Sequence, residues 1–173
     1  IVKLVNDLLD FSKLENNRIS VEHIPTNLKH TIETTCNALT PMAEQKGIEL
    51  WWDTDDCLDT CVITDPYRIK QVLTNLVSNA IKFSKKSTRS KINISAKETR
   101  EKWIFAVKDN GIGIDLKKNK NKLFGMYKTF TDNPESKGIG LFITKNQIDT
   151  MQGKIEVESE LNIGTTFKVY FKR

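Results

Sequence analysis

The sequence has little proline, glycine, cysteine or histidine, and it lacks long apolar runs. Its 173 residues include 4 Pro and 8 Gly, while 38% of the residues are hydrophobic, which is typical of a globular domain rather than of a disordered chain. No run approaches the roughly 20 apolar residues of a membrane-spanning helix, and no signal-peptide pattern opens the chain. We therefore expect one soluble piece of ordinary domain size.

The three cysteines, Cys36, Cys57 and Cys61, argue against a disulfide framework and against a zinc site. They are odd in number, lack paired CxxC spacing and have no histidines nearby. Reduced thiols in a cytosolic protein fit this pattern best.

The net charge of +5 is a modest excess that could serve nucleic acid, anionic lipid or a phosphorylated ligand. Its basic residues cluster in the ranges 82–97 and 117–128, which contain no acidic residue. Most such runs are solvated faces. Nucleic-acid binding is disfavoured because aromatic side chains are not interleaved with the lysines as stacking platforms.

Apolar spacing predicts three main helices, and alternation predicts five strands. The first helix starts after Thr26 or Asn27, the second starts at Pro66 after the capping Asp65, and the third starts at Gly138–Gly140. The first helix is expected to bury Leu28, Ile32, Cys36, Leu39 and Met42. The strands are expected near 48–52, 91–99, 101–108, 154–158 and 166–171.

These elements predict an α+β fold, a two-layer sandwich in which a mixed β-sheet is covered on one face by about three helices. Residues 1–20 add an amphipathic helix stub whose start has no capping residue, so we interpret it as a helix cut in the middle. Residues 21–173 form the predicted domain. Within this domain, residues 109–137 show no clear periodicity, which is typical of a lid or binding loop.

Three groups of residues carry possible chemistry. Asn75, Asn79 and Lys82 share one stripe of the second helix, and their amide oxygens and ammonium group suit Mg²⁺ with phosphate oxygens. A polar helix face would use the same residues. The other two groups, Asp109–Ile114 and Lys137–Leu141, each combine glycines with the end of a strand or the start of a helix.

Asp109–Ile114 directly follows a predicted strand, where a carboxylate can accept a hydrogen bond from an exocyclic amine and glycines allow close approach. An ordinary hairpin turn is the alternative, but no strand follows Ile114. In Lys137–Leu141 the glycines would let backbone N–H groups face an anion such as a triphosphate. A flexible entry to a helix is the alternative there.

In this order, the elements from about Thr26 to the C-terminus resemble the catalytic and ATP-binding domain of sensor histidine kinases, part of the GHKL superfamily. Four segments are similar to its N, G1, F and G2 boxes, and a fifth resembles its last glycine turn. They are Gln71–Ser84, Asp109–Ile114, Phe124–Tyr127, Lys137–Leu141 and Asn162–Phe167. Residues 1–20 resemble the end of the second helix of the family's dimerisation and phosphoacceptor domain.

The resemblance implies ATP and Mg²⁺ as cofactors and assigns a role to each matching residue. Asn79 would be the Mg²⁺ ligand, with Asn75 and Lys82 near the phosphates and Phe83 packed by the nucleotide. Asp109 would read the adenine amino group, and Gly111 and Gly113 would leave room for the base. Gly138, Gly140 and Leu141 would lie under the phosphates and base. Lys128 would lie near the position that an arginine occupies in the family's F box.

Two departures from the family's pattern bear on activity. Ser136 stands where the family's G2 box often has a third glycine, and Lys128 lacks the bidentate fork of an arginine. In addition, neither His23 nor His30 is followed by the acidic residue of the family's acceptor motif. We therefore expect the chain to bind ATP without completing autophosphorylation.

The resemblance also implies partners. These are a dimerisation and phosphoacceptor domain of the same protein, a response regulator receiver domain, and a second copy in a homodimer of the full-length protein. It implies a cytoplasmic domain and leaves open whether the parent protein is membrane-anchored. Two alternatives remain: a GHKL ATPase, which needs a carboxylate where this chain has Asn75, and a degenerate nucleotide-binding module, which Ser136 and Lys128 keep open.

Overall fold

The computed structural model describes residues 21–54, 61–85, 89–129 and 138–172. The predicted stub at residues 1–20 and the predicted G2 residues Ser136 and Lys137 lie outside these ranges. The elements are strands β1 (Ile24–Asn27), β2 (Glu49–Thr54), β3 (Cys61–Thr64), β4 (Lys91–Glu98), β5 (Lys102–Asp109), β6 (Lys154–Glu160) and β7 (Gly164–Lys172), with helices α1 (Leu28–Glu44), α2 (Pro66–Lys82), α3 (Leu116–Asn119) and α4 (Gly140–Thr150).

The main sheet is mixed and has five strands in the order β2-β4-β5-β7-β6. Its β2–β4 pair is parallel and the other three pairs are antiparallel. Alternating residues of β4, β5 and β7 enter the core, whereas Asn93, Ser95 and Lys97 on the other face of β4 are exposed. The predicted α+β sandwich with helices on one face of a mixed sheet is thus confirmed.

Local signals explain where the two long helices begin. The Asn27 side chain accepts a hydrogen bond from the His30 N–H at 2.8 Å, and Asp65 does the same for Arg68 at 3.0 Å. Both are side-chain caps of the first turn. Asp65 is buried and also accepts from the Glu22 N–H at 3.1 Å, so it fastens the incoming chain to the start of α2.

Three details differ from expectation. Met42 is 45% exposed, and Ala43, four residues after Leu39, takes the buried position instead. Strands β1 and β3 form a separate two-stranded sheet that was not predicted, because four residues give too short an alternation to recognise. Finally, the segment after Asp109 contains the short helix α3, capped by Asp115, and a 3₁₀ turn at Lys120–Lys122.

Candidate functional site

The Asp109 carboxyl stands at the end of β5, where the chain leaves the sheet. Its Oδ1 accepts hydrogen bonds from the Gly111 N–H at 2.8 Å and the Thr165 N–H at 3.3 Å. Burial raises the pKa of this carboxyl, and the two N–H groups and the charge of Lys85 offset part of the rise. With Oδ1 engaged by the backbone, Oδ2 is the atom that can accept from a ligand.

The loop after Asp109 is fixed to the end of α2. The Ile112 N–H donates to the Phe83 carbonyl at 3.0 Å. A Cβ added to Gly111 would lie 2.5 Å from that same Phe83 oxygen, closer than side-chain carbons approach a carbonyl. The structure therefore brings Asp109 and Gly111 of the predicted G1 box together with Phe83 of the predicted N box.

The same loop is also fixed to the turn between β6 and β7. The Asn162 N–H donates to the Ile112 carbonyl at 2.8 Å, and the Ile114 N–H donates to the Ser159 Oγ at 2.8 Å. Gly113 has φ +70°, and an added Cβ would lie 1.9 Å from the Glu160 carbonyl oxygen. Glycine at position 113 is thus required by the packing of the loop itself.

The polar stripe of α2 faces two different neighbours. Asn75 is 6% exposed, and its Nδ2 donates to the Thr144 Oγ1 of α4 over a long 3.5 Å. Asn79 and Lys82 are half-buried, and the Lys82 Nζ lies 5.5 Å from the centre of the Phe83 ring. Asn75 therefore contacts the helix that follows the predicted G2 glycines, while Lys82 lies at the base of the Asp109 loop.

Gly138, which precedes α4, lies against the end of the predicted F box. Gly138 has φ +69°, and an added Cβ would lie 2.5 Å from the Lys128 backbone nitrogen. Among the described residues, no atom lies within 4 Å of a Cβ added to Gly140, and no side chain caps the first turn of α4. Leu141 packs against the core, whereas Lys128 is exposed. Lys128 thus contacts the predicted phosphate-side residues through its backbone.

Sequence reasoning missed four residues that support this arrangement: Gln71, Thr144, Gln147 and Ser159. Gln71 and Gln147 are hydrogen-bonded to each other between α2 and α4. The position of Gln71, one helical turn before Asn75, could have signalled its place on the same stripe. The other three give no such signal, because their roles depend on contacts between distant parts of the chain.

Asn79 fits a Mg²⁺ ion carried by a nucleotide better than a metal held by the protein alone. The described residues contain no group of three or more His, Cys, Asp or Glu side chains that could hold a metal ion. Mg²⁺ bound with phosphates needs only one or two protein oxygens and keeps waters for the rest. The half-buried Asn79 amide, one helical turn after Asn75 on α2, offers one such oxygen.

Comparisons with known proteins agree with this geometry. The family described as Histidine kinase-, DNA gyrase B-, and HSP90-like ATPase matches residues 64–173. The sensor protein GacS of Pseudomonas syringae pv. syringae is 34% identical over 182 residues, covering 99% of this chain and 20% of GacS. The histidine-protein kinase BarA of Escherichia coli K12 is 32% identical over 176 residues, covering 96% of this chain and 19% of BarA.

Solved structures give the same result. Full-length ShkA in complex with AMPPNP superposes with a TM-score of 0.85 and 26% identity, over 98% of this chain and 35% of ShkA. The catalytic domain of the histidine kinase ThkA superposes with a TM-score of 0.72 and 30% identity, over 87% of this chain and 95% of that domain.

The fold and the site therefore define an ATP-binding domain of the GHKL type. The chain belongs to the Histidine kinase-, DNA gyrase B-, and HSP90-like ATPase family, and it is the histidine kinase form of that domain. It spans about a fifth of the length of the curated relatives that it matches. Among the described residues, we find no helix with the length and apolar character that crossing a membrane requires.

Proposed function

We propose that this domain binds Mg²⁺-ATP and transfers its γ-phosphoryl group to a histidine on a separate dimerisation domain. The phosphates would lie between Asn79 and Gly140, and the adenine amine would meet the Asp109 Oδ2. When bound, Mg²⁺ would neutralise charge on the phosphates. Residues 1–20 would be the end of the dimerisation helix, residues 21–173 would be the kinase domain, and the parent protein would act as a homodimer with a receiver domain as its phosphoryl acceptor.

The environment of Asn75 is the observation that favours phosphotransfer to a histidine over ATP hydrolysis. A hydrolase needs a general base to activate water, and its carboxylate would occupy this position one turn before Asn79. Here the side chain is an amide, 6% exposed, with its Nδ2 donating to Thr144. The Asp109 carboxyl belongs to the loop that is fixed to the C-terminal end of α2, and its Oδ1 is bound to two backbone N–H groups.

A phosphotransfer assay tests the proposal directly. With γ-labelled ATP, the chain alone should leave ATP nearly intact. It should label a separately supplied dimerisation domain, slowly because the two domains are not tethered. Rapid phosphate release by the chain alone, lost in Asn79→Ala and without a labelled partner, would instead establish an ATPase. ATP binding with neither release nor labelling would establish a binding module.

The metal role of Asn79 has its own test. Replacing Asn79 with Ala should remove the Mg²⁺-dependent part of ATP binding, a loss of about 1–3 kcal/mol for a contact to a charged group. Titration calorimetry with and without Mg²⁺ measures this difference. Asn93→Ala, an exposed asparagine on the open face of the sheet, is the matched control and should change nothing. An unaltered Mg²⁺ dependence in Asn79→Ala would place the metal elsewhere.

A further inference from the structure

Helices α2 and α4 meet along a row of buried and half-buried polar side chains rather than along an apolar seam alone. Gln147 donates from its Nε2 to the Gln71 Oε1, and Asn75 donates to Thr144. Gln147 is 1% exposed and Thr144 is fully buried. We name these four residues, Gln71, Asn75, Thr144 and Gln147, the polar seam.

The polar seam points toward the candidate ATP site. Along α2 it runs from Gln71 to Asn75 in steps of one helical turn, while along α4 it runs backwards from Gln147 to Thr144. The two helices are therefore antiparallel in this contact. The next step is Asn79 on α2 and Gly140 on α4, and no described atom lies within 4 Å of a Cβ added to Gly140.

The polar seam is a poor choice for stability alone. The Gln147 Oε1 is buried and has no hydrogen-bond partner among the described residues, and an unsatisfied buried acceptor costs free energy that an apolar side chain of similar volume would avoid. Buried polar pairs of this kind are best attested as devices that fix the register between two helices. An apolar contact tolerates sliding, because it has no direction.

We propose that Gln71 and Gln147 are positioning residues for nucleotide binding. Their hydrogen bond fixes the axial register of α4 on α2, and so holds the Gly138–Gly140 backbone at a set distance from Asn79. This inference rests on the proposed function of the same site. It assigns no contact between either glutamine and the nucleotide. It predicts that removing the pair weakens ATP binding without weakening the fold.

The test combines the double variant Gln71→Leu/Gln147→Leu with each single change. The double variant should have a Tm equal to or above that of the unaltered protein, because the orphaned Gln147 acceptor is gone. Its affinity for a non-hydrolysable ATP analogue should fall by roughly tenfold, as small displacements of binding groups are costly. Gln71→Glu, which keeps an acceptor for the Gln147 Nε2, should retain most of the affinity.

Ile148→Val is the matched control, because Ile148 is fully buried on the same helix and belongs to the hydrophobic core. It should lower the Tm and leave the affinity unchanged. Unaltered affinity in the double variant, or loss in Gln71→Glu equal to that in the double variant, would overturn the proposal. If the double variant does not fold, Gln71→Met, which is close to glutamine in size, replaces it with the same expected loss of affinity.

Failure of the ATP-binding part of the proposed function would look different. In that case the unaltered protein itself would not bind the ATP analogue, whereas an ATPase or a binding module would still bind it. The coupling between Gln71 and Gln147 would still appear in the free energies of unfolding of the single and double variants.

Discussion

The two sides of the candidate ATP site are held in different ways. On the Asp109 side, the loop is joined by hydrogen bonds to the end of α2 and to the β6–β7 turn. On the Gly138–Gly140 side, no described atom lies within 4 Å of a Cβ added to Gly140, and no described side chain caps the start of α4. Under the proposed function, this difference predicts a preformed base pocket and a phosphate side that completes its contacts when a ligand arrives.

The largest expected effect is a difference in the free energy of unfolding between alanine substitutions at two glycines, one on each side of the site. Gly113→Ala should lower the free energy of unfolding by about 3 kcal/mol or more, because its φ of +70° and the Glu160 carbonyl 1.9 Å from an added Cβ both oppose a side chain. Gly140→Ala should leave stability unchanged or raise it by up to about 1 kcal/mol, since alanine favours the helix. Urea unfolding measures both, and equal losses would contradict the difference between the two sides.

A second effect concerns base recognition by Asp109. Asn at this position keeps an oxygen for the Gly111 and Thr165 N–H groups but turns an NH₂ group toward the amine of adenine. Asp109→Asn should therefore weaken ATP binding by about 1.5–3 kcal/mol. Calorimetry with ATP and GTP measures it. Unchanged affinity together with an unchanged preference for ATP would mean that Asp109 does not read the base.

A third prediction concerns how the stability of the Asp109→Asn variant, relative to the original protein, depends on pH. Because the folded-state pKa of Asp109 is raised, the folded state holds this proton more tightly than the unfolded state does. The contribution of Asp109 to stability therefore falls as the pH rises from about 3.9 through the raised pKa. The Asn variant does not titrate here, so its stability relative to the original should be highest at neutral pH and should decline toward pH 4. Urea unfolding across this range measures the trend.

The sequence predicted the helices and strands of this site better than the side-chain contacts that hold them together. The helix starting at Pro66 and the β4–β5 hairpin were predicted from periodicity and capping, which are local properties. The roles assigned to the individual site residues remain predictions. The polar seam and the Ser159 contact were not foreseen, because they join distant parts of the chain. The two hydrogen bonds of the polar seam join residues 69 and 76 positions apart, and the Ser159 contact joins residues 45 positions apart. Such pairings depend on the register of whole elements, which local patterns do not specify.

The smallest expected effect concerns the support beneath the Asp109 loop. The Ser159 Oγ accepts from the Ile114 N–H at 2.8 Å and donates to the Gly164 carbonyl at 2.9 Å. Alanine would leave the half-buried Ile114 N–H without this partner, so Ser159→Ala should cost about 1 kcal/mol of stability. Ser95→Ala, an exposed serine on the open face of the sheet, is the matched control and should change stability by less than about 0.5 kcal/mol.

Hydrogen exchange then shows where the loss in Ser159→Ala is felt. If the Asp109 side is one preformed unit, the amides of Ile112, Ile114 and Asn162 should all exchange faster in the variant, because their hydrogen bonds fix the same loop, the first to the end of α2 and the other two to β6 and the β6–β7 turn. The amides of α4 should keep their original rates, since no described hydrogen bond links Ser159 to that helix. Faster exchange confined to Ile114 would show that the loop and the turn open separately, and the site would then have no preformed side.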